Sequence, residues 1–291
     1  MNRKIQQLAE QTCAKVIDAM ENTDGNWVRN WIPDQSQTPR NAKTQKPYTG
    51  VNWLVFAFLR AEKEWATGEF ATLKQWNALG LRIRKGERSQ LGIFYKSLEV
   101  PDRNDVARST WIPYVNTFNV FNAAQVVDLE GNDYAPATID TTREANPVQR
   151  ADQLCQSVGA EVQNTDRMRA FYAPSVDKIN MPVMRQFNTP EDYSCTLLHE
   201  LTHWTGHASR LNRDSKGKRW GDIEARAAEE LVAEIGAAML ASLYNISPVP
   251  REDHAQYLSA WCQHLEDTPR ALFAASADAQ KAATLITELE S

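Results

Sequence analysis

The sequence contains no apolar run approaching the roughly 18 residues that a membrane span needs. Its start, MNRKIQQLAEQTCAKVIDAM, has no continuous apolar core leading to a small-residue cleavage site. Neither a transmembrane anchor nor a secretory leader is expected. The four cysteines, Cys13, Cys155, Cys195 and Cys262, stand far apart and form no CxxC pair. This argues against a disulfide framework or a cysteine-built zinc site and makes a reducing cytoplasm the expected location. No internal repeat and no low-complexity tract is present. What remains is the balance of a soluble globular protein, 42% hydrophobic and 24% charged over 291 residues, a length that suggests two domains.

Charge is unevenly distributed. Residues 1–128 carry 17 Lys and Arg against 13 Asp and Glu, whereas residues 129–291 carry 15 against 24. A net of +4 is thus followed by a net of −9, which together make the −5 of the whole chain. Six of the nine tryptophans fall in the first part. The asymmetry predicts two units with different partners, the basic one suited to a polyanion.

Apolar residues at helical period predict an amphipathic helix over 3–21. GVNWLVFAFLRAEKEW reads as a buried helix, and Thr72 caps a short one, TLKQWNALG. LRIR, the turn KGE and LGIFYKS read as a hairpin, with PYVNTFNVFN as a third strand. The first unit, 1–129, is therefore expected to be α+β with a small antiparallel sheet. Residues 130–147 have linker composition. The second unit, 148–291, opens with the helix VQRADQLCQSVG and a hairpin of RAFYA with DKINMP, the latter a candidate edge strand for an extended peptide. Thr189-Pro190-Glu191-Asp192 is a helix start, with a threonine cap, proline at the first position and acids in the first turn. A longer helix follows from about 222 to 244, and further helices close a mostly helical unit.

The capped helix carries CTLLHELTHWTGH, which holds three of the chain's five histidines. His199 and His203 are four residues apart, so both imidazoles share one helix face and one ion. Zinc suits imidazole nitrogen and tolerates an open coordination position; Mn2+ or Co2+ would also fit. Glu200 beside the first ligand is placed to act as a base on water, not as a ligand. His207 lies about 12 Å of helix beyond His199, too far for the same ion unless the helix breaks at Gly206. AAEELVAEIGAA offers better candidates: Glu230 as the third ligand, with Glu229 as the alternative, and Glu234 one turn on to orient a ligand histidine. Cys195 reads as a core residue. His207, Arg210 and Tyr244 are candidates for stabilising an oxyanion.

In the first unit, Arg82, Arg84, Lys85 and Arg88 cluster around one turn, and Lys43, Lys46 and Tyr48 share the loop NAKTQKPYTG. Trp27, Trp31, Trp76 and Trp111 are near in sequence. Cations interleaved with aromatics suit the backbone and bases of single-stranded nucleic acid.

Several ordered motifs resemble the ArdC-type antirestriction proteins, whose N-terminal domain also occurs in TraC-type plasmid primases. They are PRNAKTQKPYTGVNWLVF, FATLKQWNALGLRIRKGERSQLGIFYK and TFNVFNAAQ, followed by DKINMP, YSCTLLHELTHWTGHASRLNR and AEELVAEIGAA. The resemblance covers nearly the whole chain. It implies a domain that binds single-stranded DNA, a zincin-like metallopeptidase domain with a small sheet, and protection of incoming conjugative-plasmid DNA from host restriction. It carries metal ligation to His199 and His203 and catalysis to Glu200, with a glutamate of the following helix as third ligand, Glu229 or Glu230. One reading is that the second domain acts on a protein such as a restriction enzyme. The alternative is a non-catalytic, metal-stabilised protein that occludes DNA or binds the nuclease.

Overall fold

The computed structural model describes residues 3–21, 33, 37–101, 109–136, 146–213, 223–246, 265, 268–269 and 271–290. Helix α1, Arg3–Glu21, has the expected bounds and buries Ile5, Leu8, Ala9 and Cys13, one helical stripe. Strand β1 (Arg40–Asn41) precedes α2 (Gly50–Glu62), in which every residue from Trp53 to Arg60 is buried. A helix apolar on all sides belongs in a core. Asn52 docks it by gripping Ile93, donating to the carbonyl and accepting from the N–H, both at 2.7 Å.

Strand β2 (Glu69–Ala71) leads to the short helix α3, Leu73–Ala78. Thr72 and Gln75 form a reciprocal capping box that satisfies its first amides. The expected hairpin does not form. Strand β3, Arg82–Ile83, pairs with β6, Val126–Val127, while β4, Gln90–Pro101, pairs along its whole length with β5, Ser109–Asn122. The turn at Lys85-Gly86 is present, with Gly86 at φ +92, but the strands it joins go to different sheets. The larger sheet runs β1-β2-β5-β4, with the β1–β2 pair parallel and the others antiparallel. At Gly92 a Cβ would lie 2.4 Å from the Phe118 ring, so only glycine permits that ring to cross the ribbon.

Further along the chain lie α4 (Pro147–Ser157), β7 (Glu161–Thr165), β8 (Phe171–Ala173) and β9 (Lys178–Pro182). The expected β8–β9 hairpin is present. However, β9 is the central strand, because β7 pairs in parallel on its other side. DKINMP is therefore not an edge; β8 is. Helix α5, Pro190–Trp204, begins with the Thr189/Asp192 capping box, followed by α6, Ile223–Leu243, and α7, Ala271–Glu290. No helix among the described residues is long and apolar enough to cross a membrane. The architecture is α+β, as expected.

One apolar cluster joins the two halves. Trp53, Leu54, Ala57 and Phe58 of α2 pack with Leu272, Ala275, Ala279 and Ala283 of α7 and with Leu197, Leu198 and Leu201 of α5. Burying a Leu or Phe side chain contributes about 1.5–3 kcal/mol, so α7 helps to hold the two halves together. Gln280 of α7 accepts from the Gly50 N–H at 3.0 Å, and Cys13 donates to the Pro269 carbonyl.

Candidate functional site

Helices α5 and α6 pack closely because Gly236 faces Thr202; a Cβ there would lie 2.5 Å from the Thr202 methyl. This approach brings HELTH and EELVAE together. His199 Nε2 lies 3.1 Å from His203 Nε2 and 3.3 Å from Glu230 Oε2, and His203 Nε2 lies 3.6 Å from the same oxygen. Donors bound tetrahedrally at about 2.0–2.1 Å stand about 3.3 Å apart. The spacing and the nitrogen and carboxylate chemistry therefore fit one divalent ion, and these three side chains form a metal-competent group among the described residues.

The other two acids of EELVAE take the opposite edges of the rings. Glu234 Oε1 lies 2.6 Å from His199 Nδ1, and Glu229 Oε1 lies 3.3 Å from His203 Nδ1. Glu229 thus sits away from the Nε2 side, where Glu230 is. Each carboxylate favours the proton on Nδ1 and leaves Nε2 as the electron-pair donor. Burial alone would lower the pKa of His203, but the charge of Glu230 and the hydrogen bond to Glu229 raise it well above its ordinary value. Burial works to raise the Glu229 carboxyl, yet His203 and Arg213 hold it down at about 2. Glu230 is likewise driven far below the usual carboxylate range against its burial, first by the charge of His203.

Glu200 is buried, and its Oε2 accepts the Tyr172 N–H at 2.8 Å. Edge strand β8 is thereby pinned beside the candidate base. The Tyr172 hydroxyl donates to Asp177 at 2.8 Å, and Arg210 forks onto Asp177 at 2.5 and 3.0 Å. Arg210 also lies 3.7 Å over the Trp204 ring.

The three oxyanion candidates are all engaged elsewhere. Arg210 serves Asp177, Tyr244 bonds Glu290, and His207 Nδ1 meets Ser209 at 2.7 Å. The helix does break, after Trp204, but among the described residues His207 is not one of the group that converges on the candidate ion. Cys195 belongs to the apolar cluster. Sequence spacing missed Tyr172 and Asp177, which belong to the β8–β9 hairpin, and Arg213, which follows α5.

The basic residues divide. Lys43, Lys46, Lys85 and Arg88 are exposed. Arg82 donates to the Leu129 carbonyl at 2.6 Å, and Arg84 pairs with Asp133 and Glu87. Tyr48 donates to the Phe70 carbonyl at 3.2 Å and is edge-on to Phe56. Trp76 is a correction: it is fully buried and its indole N–H is spent on the Phe121 carbonyl, so it offers no face to a base. Trp27 and Trp31 lie outside the described residues, as does the Trp111 side chain.

This fold and these side chains define a class. Residues 149–278 match the family described as zincin-like metallopeptidase, and residues 6–121 match the N-terminal domain of anti-restriction factor ArdC. The crystal structure of metal-free antirestriction protein ArdC from plasmid R388 is similar with a TM-score of 0.78 and 32% identity, covering 97% of each chain. Its Mn(II)-bound form gives 0.75 and 30%, covering 97% of this chain and 98% of that one. The uncharacterized protein y4eC of Sinorhizobium fredii is 33% identical over 94% of this chain and 89% of its own. The chain belongs to the ArdC antirestriction family. It is also 33% identical to a DNA primase TraC of Escherichia coli, over 94% of this chain but only 19% of the primase.

Proposed function

We propose that the chain is a two-part antirestriction protein, with residues 1–129 binding single-stranded DNA, 130–147 linking, and 148–291 forming a metal-dependent peptidase-like part. The matches to 6–121 and 149–278, on either side of that linker, support the division. The observation that carries the second part is the convergence of His199, His203 and Glu230 at 3.1–3.6 Å beside the buried Glu200. His199, His203 and Glu230 hold the ion; Glu234 and Glu229 orient the two rings. Zinc is the expected ion from the donor set, with Mn2+ supported by the Mn(II)-bound relative.

A bound divalent ion supplies Lewis acidity to a carbonyl and to water. Glu200, oriented by the Tyr172 N–H, takes a proton from water and delivers it to the leaving amine. The substrate class is a protein of the host restriction system, encountered in the cytoplasm as plasmid DNA enters. Exposed Lys43, Lys46, Lys85 and Arg88 supply phosphate contacts on the DNA side.

The experiment compares Glu200→Gln with His199→Ala in a plasmid-transfer assay against a restricting host. Glu200→Gln keeps the ligands and removes the base. Loss of protection in both variants supports catalysis. Protection that survives Glu200→Gln but fails in His199→Ala replaces the peptidase with a metal-stabilised binding module.

A further inference from the structure

We propose that Arg213 is a positioning residue of the metal site, acting through Glu229 to fix the ring and tautomer of His203. The proposal rests on the metal-site reading above and adds a residue that no ligand spacing points to.

Glu229 Oε1, the oxygen that faces His203 Nδ1, also accepts from Arg213 Nη2 at 2.8 Å, while its Oε2 accepts from Arg213 Nε at 3.1 Å. This is a side-on fork, the strongest geometry between guanidinium and carboxylate. The guanidinium is itself anchored. Nη1 donates to the Thr205 hydroxyl and Nη2 to the Thr202 carbonyl, both at 2.7 Å. Both acceptors lie at the C-terminal end of α5, where a cation also meets the negative end of the helix. The Arg213 side chain is only 5% exposed, too little to be an incidental surface pairing. One buried arginine therefore clasps the helix that carries both histidines to the helix that carries Glu230.

The geometry gives this clasp its purpose. Arg213 holds the Glu229 carboxylate in one orientation, with Oε1 turned to His203 Nδ1. A carboxylate fixed there orients the ring and favours the Nδ1–H tautomer, which leaves Nε2 facing Glu230. At the other ring, Glu234 meets His199 Nδ1 from among the apolar residues of α6.

The test uses the full chain, stripped of metal and titrated with Zn2+ against a chromophoric chelator, and with Co2+ to read the ligand-field absorption spectrum. Arg213→Met is expected to weaken Zn2+ binding by about 10–100-fold, the usual cost of losing a partner behind a ligand, and to alter the Co2+ spectrum. Arg213→Lys should recover part of the loss. In the double variant with Glu229→Gln, the affinity should fall no further than in Glu229→Gln alone, because Arg213 acts through that carboxylate. Should Arg213→Met fold poorly, Arg213→Lys and Glu229→Gln give the same cycle. Wild-type affinity and an unchanged Co2+ spectrum in the arginine variants would overturn the proposal. So would fully additive losses, which mark a helix clasp with no role at the ring. A wild-type chain that takes up no divalent ion overturns the metal-site reading and the proposal together.

Discussion

The acids around His199 and His203 turn inward onto a shared pair of rings, whereas the cations of the first half split between inward and outward use. Glu229, Glu230 and Glu234 come from one helix and meet two histidines from another, so their roles follow from helical spacing plus one helix contact. Arg82 sits on a strand that pairs far along the chain and Arg84 directly follows it, and their guanidinium groups satisfy Leu129, Glu87 and Asp133. Similar-looking clusters of charge thus have different meanings. A cluster on paired helices builds a site, while one on a short strand is partly consumed by the fold that surrounds it.

The largest loss is expected at the ligands. His199→Ala should abolish stoichiometric binding of Zn2+ or Mn2+, a larger loss than the about 10–100-fold expected for a supporting residue, measured by equilibrium dialysis. Retained stoichiometric binding would remove the site from α5. On the other side of the comparison, Trp76→Ala should destabilise the chain by about 3–5 kcal/mol in urea unfolding, as removal of a buried aromatic does. Near-wild-type stability would return Trp76 to the surface as a base-stacking residue.

Smaller effects sharpen the difference. Glu234→Gln should weaken metal binding about 10–100-fold while sparing the ligands. A double substitution of Lys43 and Lys46 by Ala should weaken single-stranded DNA binding by the full chain. It should also flatten the slope of log affinity against log salt by about 0.7 per lost contact. Arg84→Ala should move that slope less, because its guanidinium is already paired. An equal change from Arg84 would erase the division between inward and outward cations.

The smallest effect is pH-dependent. The Arg210 hydrogen bond holds Asp177 below the usual carboxylate range, against slight burial that would raise it. A folded pKa below the unfolded one means that the pair's contribution is present above the unfolded value, about 3.9. It fades as pH falls through the folded one. The pair is partly exposed, so Asp177→Asn should cost at most about 1 kcal/mol at pH 7 and less than that near pH 3. A thermal-melting difference that does not shrink on acidification would assign the loss to packing instead.

Much of this was legible beforehand, and the misses share one cause. The start of α5 was readable because capping chemistry lies within four residues, and HELTH because i, i+4 spacing places both rings without further information. Residues 81–97 misled because a turn signal says only that the chain reverses, and β3 and β4 find separate long-range partners. Trp76 misled for the same reason: an aromatic near cations reads as a platform until Phe121 and its neighbours cover it.

The α+β class, the helix caps, the histidine pair with its adjacent glutamate, and the acid-rich segment that meets them are all written in local sequence. All of these are set by hydrogen bonds and side-chain periods spanning a few residues. Packing between distant segments decided which glutamate faces Nε2 and which faces Nδ1. It also decided that β8 and not β9 is the edge beside Glu200, and that Arg213 stands behind Glu229. Helix rotation, strand order and a buried arginine's partners depend on contacts between segments distant along the chain, and no local spacing encodes them.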